Sequence, residues 1–345
     1  MKEQMTARER FHAVMEFREF DRLPIIEWAG WWDKTLERWR AEGLPANLDR
    51  YDLYRHFGMD VYYQFWIPSR ANDFPAPAQH GAGFVKSESD YAALKKYLYP
   101  VDSINTALLE KCAPEHRRGD CAIWFSLEGF FWGPRTLFGI EEHLYAFYDH
   151  PELMHRINRD IAAHHLKVID KICEQATPDF MTFAEDMSYN NGSMLSKELF
   201  DEFMAPYYQM VIPKLKERGI KVIIDSDGDI SVPCKWFEEV GLDGILPLER
   251  QAGVNIARLR EDHPKQLYIG AYDKMVMNRG EEAMRAEFER LLPVARKGGF
   301  LISCDHQTPP GVSLEQYGQY LKLFREYAVK VGSNTKLQSK GTSAE

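Results

Sequence analysis

The sequence predicts an α/β fold, a (β/α)8 TIM barrel, on three observations. Short apolar runs begin near residues 23, 60, 121, 180, 222, 244, 267 and 300, and helical sequence follows each. The runs lack the in-and-out alternation of strands with one wet face, which suits parallel strands covered on both sides. No Gly-x-Gly-x-x-Gly follows any of them, so an open dinucleotide-binding sheet is disfavoured.

The elements follow in order. Thr6-Ala7-Arg8-Glu9 is a capping box, and it opens a helix to about Phe17. A short strand is predicted over Leu23–Trp28, then helices over 31–42 and 49–57, the second stopped by Gly58. Asp60–Trp66 is a β-rich run. Residues 67–100 are rich in Pro and Ala and irregular, and read as an insertion or lid after the second strand, with a hairpin strand near 83–86. Helices are expected over 103–112, 141–148 and 151–175, the last with Pro151 in its first turn, where a missing N–H costs little. In the second half, predicted helices cover 196–218, 232–241, 256–261, 281–297 and 313–329, alternating with the strands. One domain is expected over 1–331, with an N-terminal helical extension, and a disordered polar tail over 332–345.

Composition narrows the function. Hydrophobic residues make up 45% and charged residues 28%, an ordinary globular balance. The formal net charge of −9 argues against a nucleic-acid binder held by general attraction to phosphate. No apolar run approaches the roughly 20 residues that span a bilayer. The charged, helical N-terminus does not read as a signal peptide. Five cysteines without a CxxC pair read as reduced thiols, so a cytoplasmic location is expected.

In a βα barrel the chemistry gathers at the C-terminal ends of the strands, and here those ends are acidic. They carry Glu185-Asp186, then Asp225, Asp227 and Asp229, then Glu249, Asp273 and finally Cys304-Asp305-His306. Such a cluster is costly unless a divalent metal, a proton or a neighbouring Arg or Lys compensates. Acids after strands also serve as turn residues and helix caps, the reading favoured for Asp229. Cys304 reads as a small core residue as readily as a ligand. Trp28, Trp31, Trp32, Tyr62, Tyr63, Phe65 and Trp66, joined by Phe130, Phe131 and Trp132, form either core or a flat apolar wall for an aromatic or macrocyclic ligand.

With these motifs in order, the chain resembles the uroporphyrinogen decarboxylase superfamily from Arg8 to Tyr327. The resemblance rests on Asp21-Arg22-Leu23-Pro24-Ile25, Trp28-Ala29-Gly30, Phe57-Gly58-Met59-Asp60, Asp225-Ser226-Asp227-Gly228, Gly270-Ala271-Tyr272-Asp273 and Cys304-Asp305-His306 with Pro309-Pro310 and Glu315. It implies a (β/α)8 barrel. The decarboxylase branch carries substrate-holding arginines after the first strand, where this chain has Glu27 and Trp31, and an aspartate that falls on Ile67. A polyanionic porphyrinogen would meet a carboxylate and an indole where it needs guanidinium. The corrinoid-dependent methyltransferase branch binds zinc through His-x-Cys-Gly and a late Cys. Those positions are Asp225-Ser226-Asp227-Gly228 and His306 here. The ligand positions persist while thiolates become carboxylates and imidazole.

The resemblance therefore implies a metal-dependent methyltransferase. Asp227, His306 and Asp225 are its candidate catalytic residues. Glu185, Asp225, Asp227 and His306 are candidate ligands of a divalent metal, zinc first among the candidates. Trp28, Trp31, Phe65, Trp66, Glu249 and Asp273 are candidate substrate contacts. A corrinoid on a partner protein, or a methoxylated aromatic, is the expected methyl donor, and a homodimer is plausible for the family. Two alternatives stand beside it: a metal-independent lyase using His306 and Asp227 as proton carriers, and a non-catalytic corrinoid- or tetrapyrrole-binding protein.

Overall fold

The computed structural model describes residues 4–338, the side chains of 333–338 excepted. Its strands are β1 (Val61–Trp66), β2 (Cys121–Glu128), β3 (Phe180–Ala184), β4 (Ser188–Tyr189), β5 (Gly192–Ser193), β6 (Lys221–Asp225), β7 (Gly244–Leu246), β8 (Leu267–Tyr272) and β9 (Phe300–Cys304). Seven of them form one parallel sheet in the order β1-β2-β3-β6-β7-β8-β9, and β4 and β5 make a small antiparallel hairpin. The helices are α1 (Ala7–Met15), α2 (Asp33–Ala41), α3 (Arg50–His56), α4 (Glu88–Leu94), α5 (Thr106–Arg118), α6 (Trp132–Phe138), α7 (Glu142–Asp149) and α8 (Pro151–Cys173). They continue as α9 (Lys197–Phe203), α10 (Ala205–Glu217), α11 (Pro233–Glu239), α12 (Ile256–Asp262), α13 (Glu281–Ala295) and α14 (Leu314–Gln338). Among the described residues no helix is long and apolar enough to cross a membrane.

The predicted eighth strand, Leu23–Trp28, is not a strand. The segment lies between β1 and β9, held there largely by side chains instead of a backbone ladder. The Asp60 N–H donates to the Ile25 carbonyl at 3.0 Å, and the Ile25 N–H donates to the Asp60 carboxylate at 2.8 Å. On the other side, the Trp28 N–H donates to the Ser303 hydroxyl, and the Glu27 carboxylate accepts from the Cys304 N–H at 3.0 Å. Pro24 has no N–H to give, which itself works against a ladder. What the structure shows is thus an α/β fold on a seven-stranded parallel sheet, with this segment in the seam between the first and last strands.

Two other expectations change. The single helix predicted over 196–218 breaks at Met204, and Pro206 takes the first turn of the second segment, where its missing N–H costs little. The polar tail expected from Gly332 is instead a continuation of α14 to Gln338, and residues 339–345 lie outside the described residues. Gly332 does not stop that helix. A Cβ there would stand 2.1 Å from the Asp21 carbonyl oxygen, so glycine lets α14 press against the start of the Leu23–Trp28 segment. The 67–100 insertion contains α4 and one 3-10 turn and no strand at 83–86. Phe84 and Val85 N–H groups donate to the Leu137 carbonyl of α6, which ties the insertion to that helix.

The opposite end of the sheet is closed by α1. Its Arg8 and His12 side chains reach Asp179, just before β3, at 2.6 and 2.8 Å, and His116 of α5 donates to the other oxygen at 2.9 Å. Asp179 is fully buried, and these partners hold its carboxyl below the usual range despite burial. The core lies between the sheet and the helices. α8 buries Leu153, Ile157, Ile161, Val168 and Ile172 along one face, each worth roughly 1.5–3 kcal/mol of transfer free energy.

Candidate functional site

Side chains along a strand alternate between its two faces, and this alternation selects the site. In β1, Gln64 and Trp66 face the mouth of the sheet, while Tyr63 turns the other way and packs on Tyr51 of α3 with ring centres 4.3 Å apart. At the end of β3, Ala184 and Asp186 face the mouth and Glu185 does not. After β6, Asp225 and Asp227 face it, and after β9, His306. Together with Trp28, Ala29, Trp132 and Gln307 these residues line a cavity of about 370 Å³. It lies at the C-terminal ends of the strands, and no arginine or lysine is among its lining residues.

Carboxylate oxygens of Asp186, Asp225 and Asp227 all lie within 4.8 Å of one another. His306 Nε2 stands 3.9 Å from the Asp227 carboxylate, and the His306 ring meets the Trp28 indole edge-on at 5.8 Å. The Asp227 N–H donates to Asp186 at 3.3 Å. No donor among the described residues hydrogen-bonds the Asp225 carboxylate. The electrostatics follow from burial and like charge. Burial, then Asp186 and Asp227, drive the Asp225 carboxyl well above the usual range. Burial, then Asp186 and Glu249, push Asp227 up to about 7. Burial also raises Asp186, and it lowers His306, with the Lys274 ammonium acting in the same direction on the imidazole. Three acids thus compete for charge in one small space, the situation a cation relieves.

The structure brings Asp225, Asp227, His306, Trp28 and Trp66 together at this cavity and leaves the other predicted site residues elsewhere. Glu185 is completely buried on the far face of its strand. Its carboxylate accepts from the N–H groups of Phe130, Phe131 and Trp132 at 2.7, 2.8 and 3.0 Å and from the Tyr208 hydroxyl, so it holds the β2–α6 turn and offers the mouth nothing. Burial pushes it up to about 7 against the pull of those donors. Trp31 is a core residue, packed on Trp39, Tyr54, Phe57 and Tyr317. Phe65 is buried too, one residue out of phase with the mouth. Glu249 sits beside the site and accepts from the Gly228 N–H at 3.0 Å. Asp273 caps the turn that follows β8 by accepting from the Met275 N–H, and takes a second bond from Gln251. Asp229 likewise accepts from the Ser231 N–H, as a turn residue does.

Cys304 belongs to the core. Its thiol meets Glu27 at 3.5 Å and Tyr320 at 4.0 Å, and burial followed by the Glu27 charge drives its pKa well up. None of the five cysteines is paired. Sequence reasoning placed Asp186 in the acidic rim and Trp132 in the aromatic wall without choosing either as a ligand or substrate contact, and it passed over the lining residues Gln64 and Gln307. Gln64 is held between Arg50, which donates to its carbonyl at 2.9 Å, and the Ser126 hydroxyl at 3.2 Å. Parity was the available signal, since Asp186 is two residues beyond Ala184 and Gln64 two before Trp66.

The donor set fits a hard divalent cation better than a thiolate-bound zinc. Three carboxylates and one imidazole are in reach, while the nearest thiol is turned into the core. Divalent ions accept this set, with manganese and magnesium favouring the oxygens and zinc accepting them alongside the imidazole.

Comparison with known proteins agrees with the fold. No curated protein matches the sequence. Among solved structures, a methyltransferase from Methanosarcina mazei superposes with a TM-score of 0.67 at 14% identity, covering 94% of this chain and 99% of that one. A B12-independent methionine synthase from Shewanella sp. W3-18-1 superposes only loosely, with a TM-score of 0.42 at 12% identity over 67% of each chain. The first likeness shows a shared fold, and the second carries no argument. Residues 127–327, more than half of the chain, match the sequence profile of Uroporphyrinogen decarboxylase (URO-D). The chain therefore belongs to the uroporphyrinogen decarboxylase family.

Proposed function

We propose that this protein is a methyltransferase that holds a divalent cation at Asp186, Asp225 and Asp227, with His306 as a further ligand, in a complete (β/α)8 barrel closed by the Leu23–Trp28 segment. The observation that carries the reading is the convergence of three carboxylates within 4.8 Å beside an imidazole, with no arginine or lysine in the lining. A bound cation would lower the pKa of an acceptor thiol or hydroxyl, so that the attacking anion exists near neutral pH. The chain's own residues do the rest. Asp227, whose carboxyl burial and its acidic neighbours raise, can take the acceptor's proton on the oxygen that the cation does not use, while burial holds the His306 imidazole in the neutral form that a ligand needs. Trp28, Trp66 and Trp132 supply apolar surface that excludes water from the transfer. Gln64 and Gln307 offer neutral hydrogen bonds that orient the substrate without adding charge. A corrinoid on a separate protein is the proposed methyl carrier.

The lining speaks against a porphyrinogen decarboxylase. A substrate with several carboxylates would face three acids and no guanidinium. A volume of about 370 Å³ is also at the small end of ligand pockets, which run to roughly 1,000 Å³.

Elemental analysis of protein purified without chelator tests the proposal, paired with methyl transfer from methylcobalamin to a panel of thiols and folates. The expected result is a stoichiometric divalent metal, lost in Asp227→Asn and His306→Ala together with transfer activity. Metal-free protein whose variants keep full activity would defeat it. Turnover of a porphyrinogen without corrinoid or metal would select the lyase instead.

A further inference from the structure

The composition of the cavity wall says which organic substrate it takes. Three indoles line it, from three different parts of the chain: Trp28 before α2, Trp66 at the end of β1 and Trp132 at the start of α6. Three carboxylates line it as well, Glu249 stands beside them, and the remaining polar lining is two amides and an imidazole. Three cationic side chains near the mouth are already engaged: Arg50 donates to the Gln64 side-chain oxygen at 2.9 Å and to the Trp28 carbonyl at 3.2 Å. Lys274 pairs with Asp305 at 3.2 Å, and Arg135 lies over the Trp132 ring at 5.4 Å while reaching the Asp186 carbonyl at 3.5 Å. One indole of the wall therefore already faces a cation.

Indole faces attract cations whose charge is spread over methyl groups, and such ions need no hydrogen bonds from their host. An anionic ligand is repelled by the acids, and a neutral one gains nothing from them.

We infer that the methyl donor seated in this mouth is a methylated ammonium, a quaternary amine held against Trp28, Trp66 and Trp132 and drawn in by the acids. The inference rests on the methyl-transfer reading and names its substrate class. On transfer, the N–CH3 bond breaks and leaves its electron pair on nitrogen. The methyl carbon bonds to the acceptor nucleophile, a thiolate or a reduced corrinoid. One cation and one anion become a neutral tertiary amine and a methylated acceptor. The amine product has lost the charge by which the indoles and acids held it, so it leaves more readily than the donor arrived.

Titration calorimetry on the full chain tests this with choline, its neutral isostere 3,3-dimethylbutan-1-ol, and 2-methoxyphenol, each with and without added zinc or manganese. Choline and the isostere have the same shape and differ in charge at one atom. Choline is expected to bind at least tenfold more tightly than the isostere. Trp66→Leu, at a half-exposed position that the fold tolerates, is expected to cut choline affinity about tenfold while changing the isostere by less than threefold. Equal affinity for choline and the isostere overturns the inference, as does tighter binding of 2-methoxyphenol. Metal content measured on the same samples separates the two readings. Loss of charge discrimination in a metal-loaded protein refutes the ammonium donor alone, and charge discrimination in a protein that takes up no metal refutes the metal reading alone.

Discussion

Replacing Glu185 separates its buried anchoring role from a role in the acid cluster. Its Oε1 accepts from the Phe130 N–H and the Tyr208 hydroxyl, and its Oε2 accepts from the Phe131 and Trp132 N–H groups. Glutamine keeps one acceptor oxygen. It fits best with that oxygen on the Phe131 and Trp132 side and its NH2 toward Tyr208, whose hydroxyl can rotate to accept. Only the Phe130 N–H is then orphaned, at about 1–3 kcal/mol for one buried donor. The reverse orientation orphans two. Alanine orphans three N–H groups and leaves a cavity, so Glu185→Ala is expected to cost at least about 3 kcal/mol, a large fraction of a typical 5–15 kcal/mol stability. Urea unfolding followed by circular dichroism measures both, with the slope checked for constancy. Equal losses for Gln and Ala, or losses below about 0.5 kcal/mol for both, would show that the carboxylate does not carry the β2–α6 turn.

Three further outcomes are expected. Gly129→Ala places a Cβ 2.0 Å from the Glu185 carboxyl carbon, and because four donors lock that carboxylate it should lose more than about 2 kcal/mol in the same urea assay. Asp60→Ala removes the acceptor shared by Arg10, Arg22 and the Ile25 N–H; Arg10 keeps Asp21, so a loss of about 3 kcal/mol in thermal or urea unfolding is expected, at the low end for a broken buried pair. In chelator, Asp227→Asn should stabilise the protein at pH 8: the unfolded acid ionises near 3.8 and the folded one near 7, so its contribution is fully present below the lower value and is lost as pH rises through the upper. Three pH units correspond to about 4 kcal/mol, which solvent screening of a side chain 38% exposed reduces to about 1–2 kcal/mol, and the gain should vanish toward pH 4.

The strands were legible because short unbroken apolar runs alternating with helical segments leave few alternatives, and seven of the eight expected ones form the sheet. The seam was not, because Leu23–Trp28 looks like any other apolar run until the partners of its backbone are known. Those partners are mostly side chains outside the segment, Asp60, Ser303 and Tyr54 among them. The acidic mouth was legible as a region: Asp225, Asp227 and His306 meet there. Its membership was less so. Reading Glu185 in place of Asp186, and Phe65 and Trp31 beside Trp66 and Trp28, treats a strand end as a cluster when it is an alternation. Counting by twos from Thr182, through Ala184, reaches Asp186 and passes over Glu185.

That alternation also explains how the fold tolerates acids crowded at one rim. Three mouth residues follow directly after a buried acid that turns the opposite way. Glu27 precedes Trp28 and accepts from the Cys304 N–H and the Ser303 hydroxyl. Glu185 precedes Asp186 and accepts from three N–H groups of the turn after β2. Asp305 precedes His306 and accepts from the Arg250 and Lys274 N–H groups and the Lys274 ammonium. Each buried acid ties its own chain segment to a neighbouring strand or loop. The residue after it is thereby fixed in direction, with its backbone held by charge-assisted hydrogen bonds instead of by a longer strand. Repulsion among Asp186, Asp225 and Asp227 would otherwise be relieved by the loops drifting apart. With Asp186 pinned through Glu185, and Asp225 and Ser226 held by the β6–β7 pairing and by the Ser226 N–H on the Leu246 carbonyl, the relief must come from a proton or a cation entering the mouth, and that is the condition under which a cluster of like charges serves as a binding site and does not simply unfold.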